Sequence, residues 1–154
     1  MKGDPDILEA LNDVLAAELT AINQYFLHSK MLMNWGYKKL AAKKREESIE
    51  EMRDAEAIID RIFYLDGLPN MQRLNTIKAG IDPVEQHRCD LAIEVEAVER
   101  LNRYIALCRD RGDNGTRAVL EGILKGEEEA IDWLEAELRV VDEIGKERYL
   151  AQQL

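Results

Sequence analysis

The stretch that decides the fold is EESIEEMRDA, residues 46–55. No Gly or Pro interrupts the chain between residues 37 and 66 around it, which predicts one long helix. Glu51 and Asp54 are three residues apart, so both side chains project from one face of that helix. The same face continues downstream with apolar residues at the spacing of a buried stripe: Ala55, Ile58, Ile62 and Leu65.

A carboxylate pair that opens onto a buried stripe is costly unless a cation neutralises it, and a metal ion is the usual compensation. Four-helix bundles that bind two iron ions carry a Glu-x-x-His pair at this spacing. Asp54 stands here where that pattern has histidine. The stretch therefore predicts a metal-binding helical bundle whose ligand set departs from the usual one.

Composition narrows the class of protein. The chain has 154 residues, which fits a single domain over 1–154. Hydrophobic residues make up 46% and charged residues 34%, so a core can form beneath charged helix faces. The net charge of −10 argues against nucleic acid and anionic membranes as partners and favours cations. No stretch approaches the ~20 apolar residues of a membrane span.

The two cysteines bear on the cellular compartment. Cys89 and Cys108 are nineteen residues apart on one predicted helix. At ~1.5 Å per residue they would be ~28 Å apart, too far for a disulfide. We therefore expect two free thiols and a cytoplasmic location, where disulfides are rare.

Helix signals divide the chain into five segments, at about residues 5–35, 37–66, 83–111, 116–144 and 146–153. Asp-Pro pairs at 4–5 and 82–83 are typical of helix starts, and glycines at 36, 67, 112 and 145 are typical of helix ends. Residues 67–82 form a connection long enough to cross a bundle. Two antiparallel hairpins joined by such a crossover define the ferritin-like four-helix bundle, so we expect this all-α fold with a short fifth C-terminal helix.

An internal repeat relates the two hairpins. Glu94 follows Glu18 by 76 residues (94 − 18), and Glu127 follows Glu51 by the same interval (127 − 51). Each helix thus brings one Glu to a matching height near the middle of the bundle. A single Glu in an apolar stripe usually reaches solvent, whereas four related by symmetry indicate a site for hard cations such as iron, manganese, magnesium or zinc.

Short motifs spread over the chain carry a family resemblance: MKGD (1–4), AINQYFLH (21–28), NWG (34–36), ESI (47–49), EM (51–52), GLPN (67–70), IDWLE (131–135) and YL (149–150). They make the sequence similar to bacterioferritins along nearly its whole length. The resemblance implies twofold dimers that assemble into a hollow 24-mer cage, which stores iron and oxidises Fe(II) at a dinuclear centre in each bundle. It also implies haem b between two subunits, one per pair, bound through a methionine from each.

The resemblance assigns four glutamate ligands, of which two are terminal and two are bridging: Glu18 with Glu94, and Glu51 with Glu127. The family's two histidine ligands fall at positions occupied here by Asp54 and Ala130, and a further common histidine is replaced by Glu46. Asp54 can still offer an oxygen, but Ala130 offers no donor. The remaining histidines, His28 and His87, lie outside the ligand positions, and His87 is expected to be an ordinary helix-face residue.

Loss of both imidazoles leaves an all-carboxylate site, which should bind divalent ions more loosely and select them less well. We therefore expect weak or absent ferroxidase turnover, in a storage subunit that a mixed cage would pair with a catalytic one. Deliberate engineering of the site is equally compatible with the sequence. Two alternatives stay open: an active ferroxidase with a carboxylate-only site, and a structural bundle that binds neither iron nor haem.

Met52 lies on a second apolar face of the same helix, together with Ile49, Ile59 and Phe63. A second apolar stripe implies a second packing partner, which we expect to be another subunit. On residue type alone Met52 is an interface residue, because Met commonly fills gaps in packed surfaces. The family resemblance instead implies that Met52 is the haem ligand, in a pocket that contains Ile22, Asn23, Phe26, Ile49 and Ala55.

Overall fold

The computed structural model describes residues 1–154 and contains five helices and no strand. They are α1 (Pro5–Trp35), α2 (Lys38–Tyr64), α3 (Pro83–Asp110), α4 (Asn114–Ile144) and α5 (Lys146–Ala151). Helix α1 packs along α2 and α3 packs along α4, which makes two antiparallel hairpins. The predicted all-α, ferritin-like four-helix bundle with a short fifth helix is confirmed. No helix is both long and apolar enough to cross a bilayer.

Two apolar cores fill the two ends of the bundle. The larger contains Ile7, Leu11, Val14, Leu15, Ala55, Ile58, Ile62, Leu65, Leu101, Cys108, Leu120 and Ile123. The smaller, at the opposite end, contains Leu32, Leu40, Ala41, Val84, Val141 and Tyr149. Buried polar and acidic side chains occupy the layer between these cores. The bundle therefore holds its charged groups at mid-height, enclosed by apolar packing above and below.

The crossover lies along α1 and is attached to it by a row of polar side chains. Thr20 accepts a hydrogen bond from the backbone N–H of Asn75, at 2.8 Å, through its Oγ1. Gln24 Oε1 accepts from the N–H of Lys78 at 3.0 Å. His28 Nε2 accepts from Gly80 N–H at 3.0 Å. Because residues 20, 24 and 28 recur at one-turn spacing, they form a single stripe that satisfies the donors of an otherwise irregular segment.

Helix ends follow the predicted signals, with two differences. The side chain of Asp82 accepts hydrogen bonds from the N–H groups of Val84 and Glu85, as an N-cap should. Helix α2 ends at Tyr64 rather than at residue 66, because Asp66 adopts the left-handed conformation (φ 58°) expected of the glycine after it. Gly67 instead permits close packing, since a Cβ there would lie 2.5 Å from Leu8 Cδ2.

Helix α4 begins two residues earlier than predicted, at Asn114. Asp113 supplies the cap, because its Oδ1 accepts from Thr116 N–H at 2.9 Å and its Oδ2 accepts from the Thr116 hydroxyl at 2.7 Å. Arg61 of α2 also donates to Asp113, at 2.9 Å, and so connects the two hairpins at this end. Gly115 therefore lies inside helix α4.

A buried chain of hydrogen-bonded polar side chains connects α2, α3 and α5 at the end of the bundle that contains the smaller core. Lys44 is fully buried, donates to Asp90 Oδ2 at 2.6 Å, and lies 3.0 Å from His87 Nδ1. Because an ammonium group only donates, His87 Nδ1 must accept and its Nε2–H must donate to the Tyr149 oxygen, 2.8 Å away. The Tyr149 hydroxyl then donates to Glu137. The prediction that His87 is an ordinary helix-face residue is therefore wrong: it is a buried hydrogen-bonding residue that anchors α5.

Candidate metal centre

Four carboxylates converge at mid-height between the two cores. Glu18 comes from α1, Glu51 and Asp54 from α2, and Glu127 from α4. Each offers one oxygen, and these four oxygens all lie within 4.8 Å of one another. Glu18, Glu51 and Glu127 are buried, whereas Asp54 is half-buried. Four of the five carboxylates that the sequence singled out therefore form one cluster.

Burial dominates the electrostatics of this cluster. It raises the pKa of Glu18, and it raises the pKa of Glu51 well above its ordinary value, with the Glu18 charge as the next cause. Burial, followed by the charges of Glu18 and Glu50, raises the pKa of Asp54 to about 8. Without a cation the cluster therefore keeps protons that isolated carboxyl groups would lose. A divalent ion would replace those protons as the neutralising charge.

The hydrogen-bonding of the buried oxygens also fits ligands of a cation. Glu18 Oε2 and Glu127 Oε1 are buried and make no hydrogen bond within the protein. Buried carboxyl oxygens without a partner are rare and costly, and a bound cation would satisfy them. The donor set is oxygen only, which suits hard divalent cations such as Fe(II) and Mn(II).

Glu94 of α3 is not one of the four carboxylates whose oxygens lie within 4.8 Å of one another, although it lines a cavity together with Glu18, Glu51 and Glu127. It is buried and its pKa is raised well above the ordinary value, chiefly by burial. Its Oε1 accepts a hydrogen bond from the Tyr25 hydroxyl at 2.7 Å. Sequence reasoning did not assign this role to Tyr25, although Tyr25 follows Glu18 by seven residues on the same stripe of α1. The centre is thus less symmetric than the 76-residue repeat suggests.

Asp54 and Ala130 line one cavity of about 220 Å³ beside the centre. Ala130 is buried and offers no donor there. The rest of the lining is mostly acidic: Lys43, Glu46, Glu47, Glu50, Glu51, Gly126 and Glu129. A second cavity of about 340 Å³ lies against the opposite side of the centre and includes Glu18, Glu94 and Glu127. The carboxylates are therefore approachable from two sides, one of them strongly negative.

Four of the six predicted haem-pocket residues are apolar and at least partly exposed on the α1–α2 hairpin, whereas Asn23 is polar and Ala55 is buried. Met52 is 50% exposed, Ile49 42% and Phe26 48%. Asn23 is also exposed and Ile22 is half-buried, whereas Ala55 is 4% exposed and belongs to the larger core. Exposed apolar side chains of this size, close in the chain, indicate a surface that a partner or ligand covers.

Fold and site together define a ferritin-like bundle with an internal carboxylate centre. Residues 8–144 match the family model described as the ferritin-like domain. The chain is 53% identical over 152 residues to the bacterioferritin of Mycobacterium leprae, covering 99% of this chain and 96% of that one. It is 47% identical to the Streptomyces coelicolor bacterioferritin over 151 residues, covering 98% and 90% of the two chains. The Brucella melitensis bacterioferritin is 42% identical over 149 residues, covering 97% and 92%. The chain belongs to the bacterioferritin family.

Proposed function

We propose that the chain is an iron-storage shell subunit that carries haem at a twofold interface and has an impaired ferroxidase centre. The observation that carries this proposal is the cluster of four carboxylates, which contains no histidine. The resemblance implies histidine at the two positions that Asp54 and Ala130 occupy in this sequence. Family membership supports the storage role, and the ligand set supports the loss of rapid turnover.

Iron is the substrate and cargo of this centre. The clustered carboxylates, with Glu94 as a fifth acidic group nearby, attract Fe(II) and release their protons when it binds. The acidic cavity beside Asp54 raises the local concentration of cations at its mouth. Carboxylates alone fix the geometry of bound iron less firmly than a mixed set with imidazole, so oxidation by oxygen proceeds slowly.

Haem is the proposed prosthetic group at the subunit interface. The Met52 thioether stands on an exposed apolar surface, which suits the flat apolar face of haem b. Two copies of this surface around a twofold axis would present two Met52 side chains to one iron, with Ile22, Asn23, Phe26, Ile49 and Ala55 nearby. Bound haem supplies one-electron redox chemistry.

The assembly we propose is a closed 24-mer cage in the cytoplasm, built from twofold dimers, with catalytic subunits of the same family as partners in a mixed cage. Exposed apolar residues on α2, among them Ile49, Met52 and Phe63, support burial against another chain. Catalytic partner subunits would supply the Fe(III) that this chain forms only slowly.

The first test is an absorption spectrum of the purified protein combined with a metal analysis. We expect haem bands, together with non-haem iron that greatly exceeds the number of centres. Absence of haem would remove the interface role, and absence of both would favour the plain structural bundle.

The second candidate function is an active ferroxidase with a carboxylate-only site. It is favoured by one observation, that four ligand oxygens already lie within 4.8 Å of one another. Rapid consumption of oxygen when Fe(II) is added to the metal-free protein would support this function over storage alone.

A further inference from the structure

The carboxylates of the centre divide unequally between its two halves. Glu18 and Asp54 are the terminal donors of one half, and both belong to the group of oxygens within 4.8 Å of one another. The corresponding positions of the other half, 76 residues later, hold Glu94 and Ala130. Glu94 lies outside the close group, and Ala130 has no donor atom. One half therefore keeps two terminal donors and the other keeps a single carboxylate.

The single carboxylate of the second half, Glu94, already accepts a hydrogen bond inside the protein. Tyr25 is 1% exposed and donates to Glu94 Oε1 at 2.7 Å, so only Oε2 is left without a hydrogen bond. A buried tyrosine that lost this acceptor would leave its own hydroxyl unsatisfied. Glu94 can therefore offer only Oε2 to a cation unless that hydrogen bond breaks, and this oxygen is without a partner in the same way as Glu18 Oε2 and Glu127 Oε1.

Donor number favours one ion over two. A hard divalent cation in an oxygen site takes about six ligands, and four carboxylates binding through one or two oxygens each can provide most of them. A second ion would share the bridging groups Glu51 and Glu127 and would otherwise depend on one oxygen of Glu94 and on water. The negative charge of the carboxylates would by itself favour a second cation. The preference for one ion over two therefore rests on the number of donor atoms and their geometry.

We propose that the centre binds a single divalent cation of the Mn(II) and Fe(II) class through Glu18, Glu51, Asp54 and Glu127, and that Glu94 belongs to the hydrogen-bonded scaffold beside it. This inference rests on the proposed metal-binding role of the centre but on neither haem nor assembly. It replaces a symmetric dinuclear centre by a mononuclear one whose two terminal donors, Glu18 and Asp54, both come from the first hairpin.

Mn(II) is a suitable probe because its electron paramagnetic resonance signal distinguishes isolated ions from neighbouring pairs. The full-length protein, freed of metal by chelation, is titrated with Mn(II) and the bound metal is counted after equilibrium dialysis. We expect about one tightly bound ion per chain, with the spectrum of an isolated ion. Two ions of similar affinity per chain, with a spin-coupled spectrum, would overturn the single-ion proposal and leave the metal-binding function standing. No bound Mn(II) would overturn both.

The Mn(II) affinities of single variants show which half of the centre binds the ion. Asp54→Ala should weaken Mn(II) binding by at least about 10-fold, because it removes a ligand from the occupied half. Asp60→Ala, an exposed Asp on the same helix with the same change of charge, is the matched control and should leave the affinity nearly unchanged. Glu94→Gln keeps an acceptor for Tyr25 and should weaken binding less than threefold. An equal loss in Glu94→Gln and Asp54→Ala would show a shared ligand set and contradict the proposal.

Discussion

At the residue scale, the chemistry that we propose for the centre depends on Asp54 and Ala130. Periodicity and the 76-residue repeat were enough to predict from sequence which carboxylates lie in the bundle interior, and four of the five do converge. The asymmetry at Glu94 could not be predicted, because its hydrogen bond to Tyr25 joins residues 69 positions apart in the chain. The cavity that Asp54 and Ala130 both line could not be predicted either, because sequence spacing does not give the volume between helices.

Introducing two nitrogen ligands should produce rapid oxidation. We expect the double variant Asp54→His with Ala130→His to show a fast phase of Fe(II) oxidation that the unmodified protein lacks, because each half regains a terminal imidazole. Stopped-flow absorbance under oxygen measures the rate. The single variant Asp54→His is the control and should stay slow, because position 130 still offers no donor.

Met52 offers a second test at this scale. Met52→Leu keeps the volume of the side chain and removes its sulfur. We expect the haem absorption to disappear while the circular dichroism and the assembly state stay unchanged. Met71→Leu alters another exposed methionine, on the crossover, and should retain haem. Retained haem in Met52→Leu would mean that another residue is the ligand.

At the element scale, the helices and the crossover were predictable because their signals are local. Asp-Pro starts, glycine ends and uninterrupted apolar stripes each act within a few residues. The buried chain from Lys44 through His87 to Tyr149 was not predicted, because it joins α2, α3 and α5 across 43 and 62 positions. A lysine in a charged stretch such as KKREE (43–47) normally faces solvent, whereas the ammonium group of Lys44 pairs with Asp90 in the interior.

His87 should make stability depend on pH. Burial, and then the Lys44 charge, lower the pKa of His87 from 6.5 to about 2 in the folded state. Below pH 6.5 the unfolded chain therefore binds a proton that the folded chain does not, so stability falls as the pH falls. Between pH 6.5 and 4.5 this contribution is about 2 kcal/mol. Burial is the largest influence on the neighbouring Asp90 and opposes its ionisation, but the Lys44 charge and the hydrogen bonds from His28 and Gln24 together outweigh it. They lower the pKa of Asp90 to about 2, which matters only below about pH 4.

The comparison of His87→Gln with the unmodified protein isolates this effect. Raised carboxyl pKa values, such as that of Asp54 at about 8, act in the opposite direction but are common to both proteins and cancel in the difference. His28, Lys44, Asp90 and Tyr149 are likewise unchanged. Urea unfolding at several pH values should show a shallower loss of stability on acidification in His87→Gln. Identical pH profiles would mean that His87 is protonated in the folded state.

At the scale of the whole molecule, the exposed apolar residues on α2 indicate where another chain would bind, because the rest of the surface carries most of the net charge of −10. We expect burial of the α2 surface around Met52 to drive dimer formation, and size-exclusion chromatography with light scattering measures the outcome. The mass should approach 24 times the 17.7 kDa of the chain. A monomer at micromolar concentration would contradict assembly of any kind.

The most direct test of the central claim is the rate of Fe(II) oxidation by the unmodified protein. Fe(II) is added to the metal-free protein under oxygen and followed by stopped-flow absorbance. We expect slow oxidation close to the uncatalysed background, with no rapid phase at about two irons per chain, because Ala130 leaves half of the centre without its terminal nitrogen donor. A rapid phase with that stoichiometry would contradict an impaired centre and would identify the protein as an active ferroxidase with a carboxylate-only site.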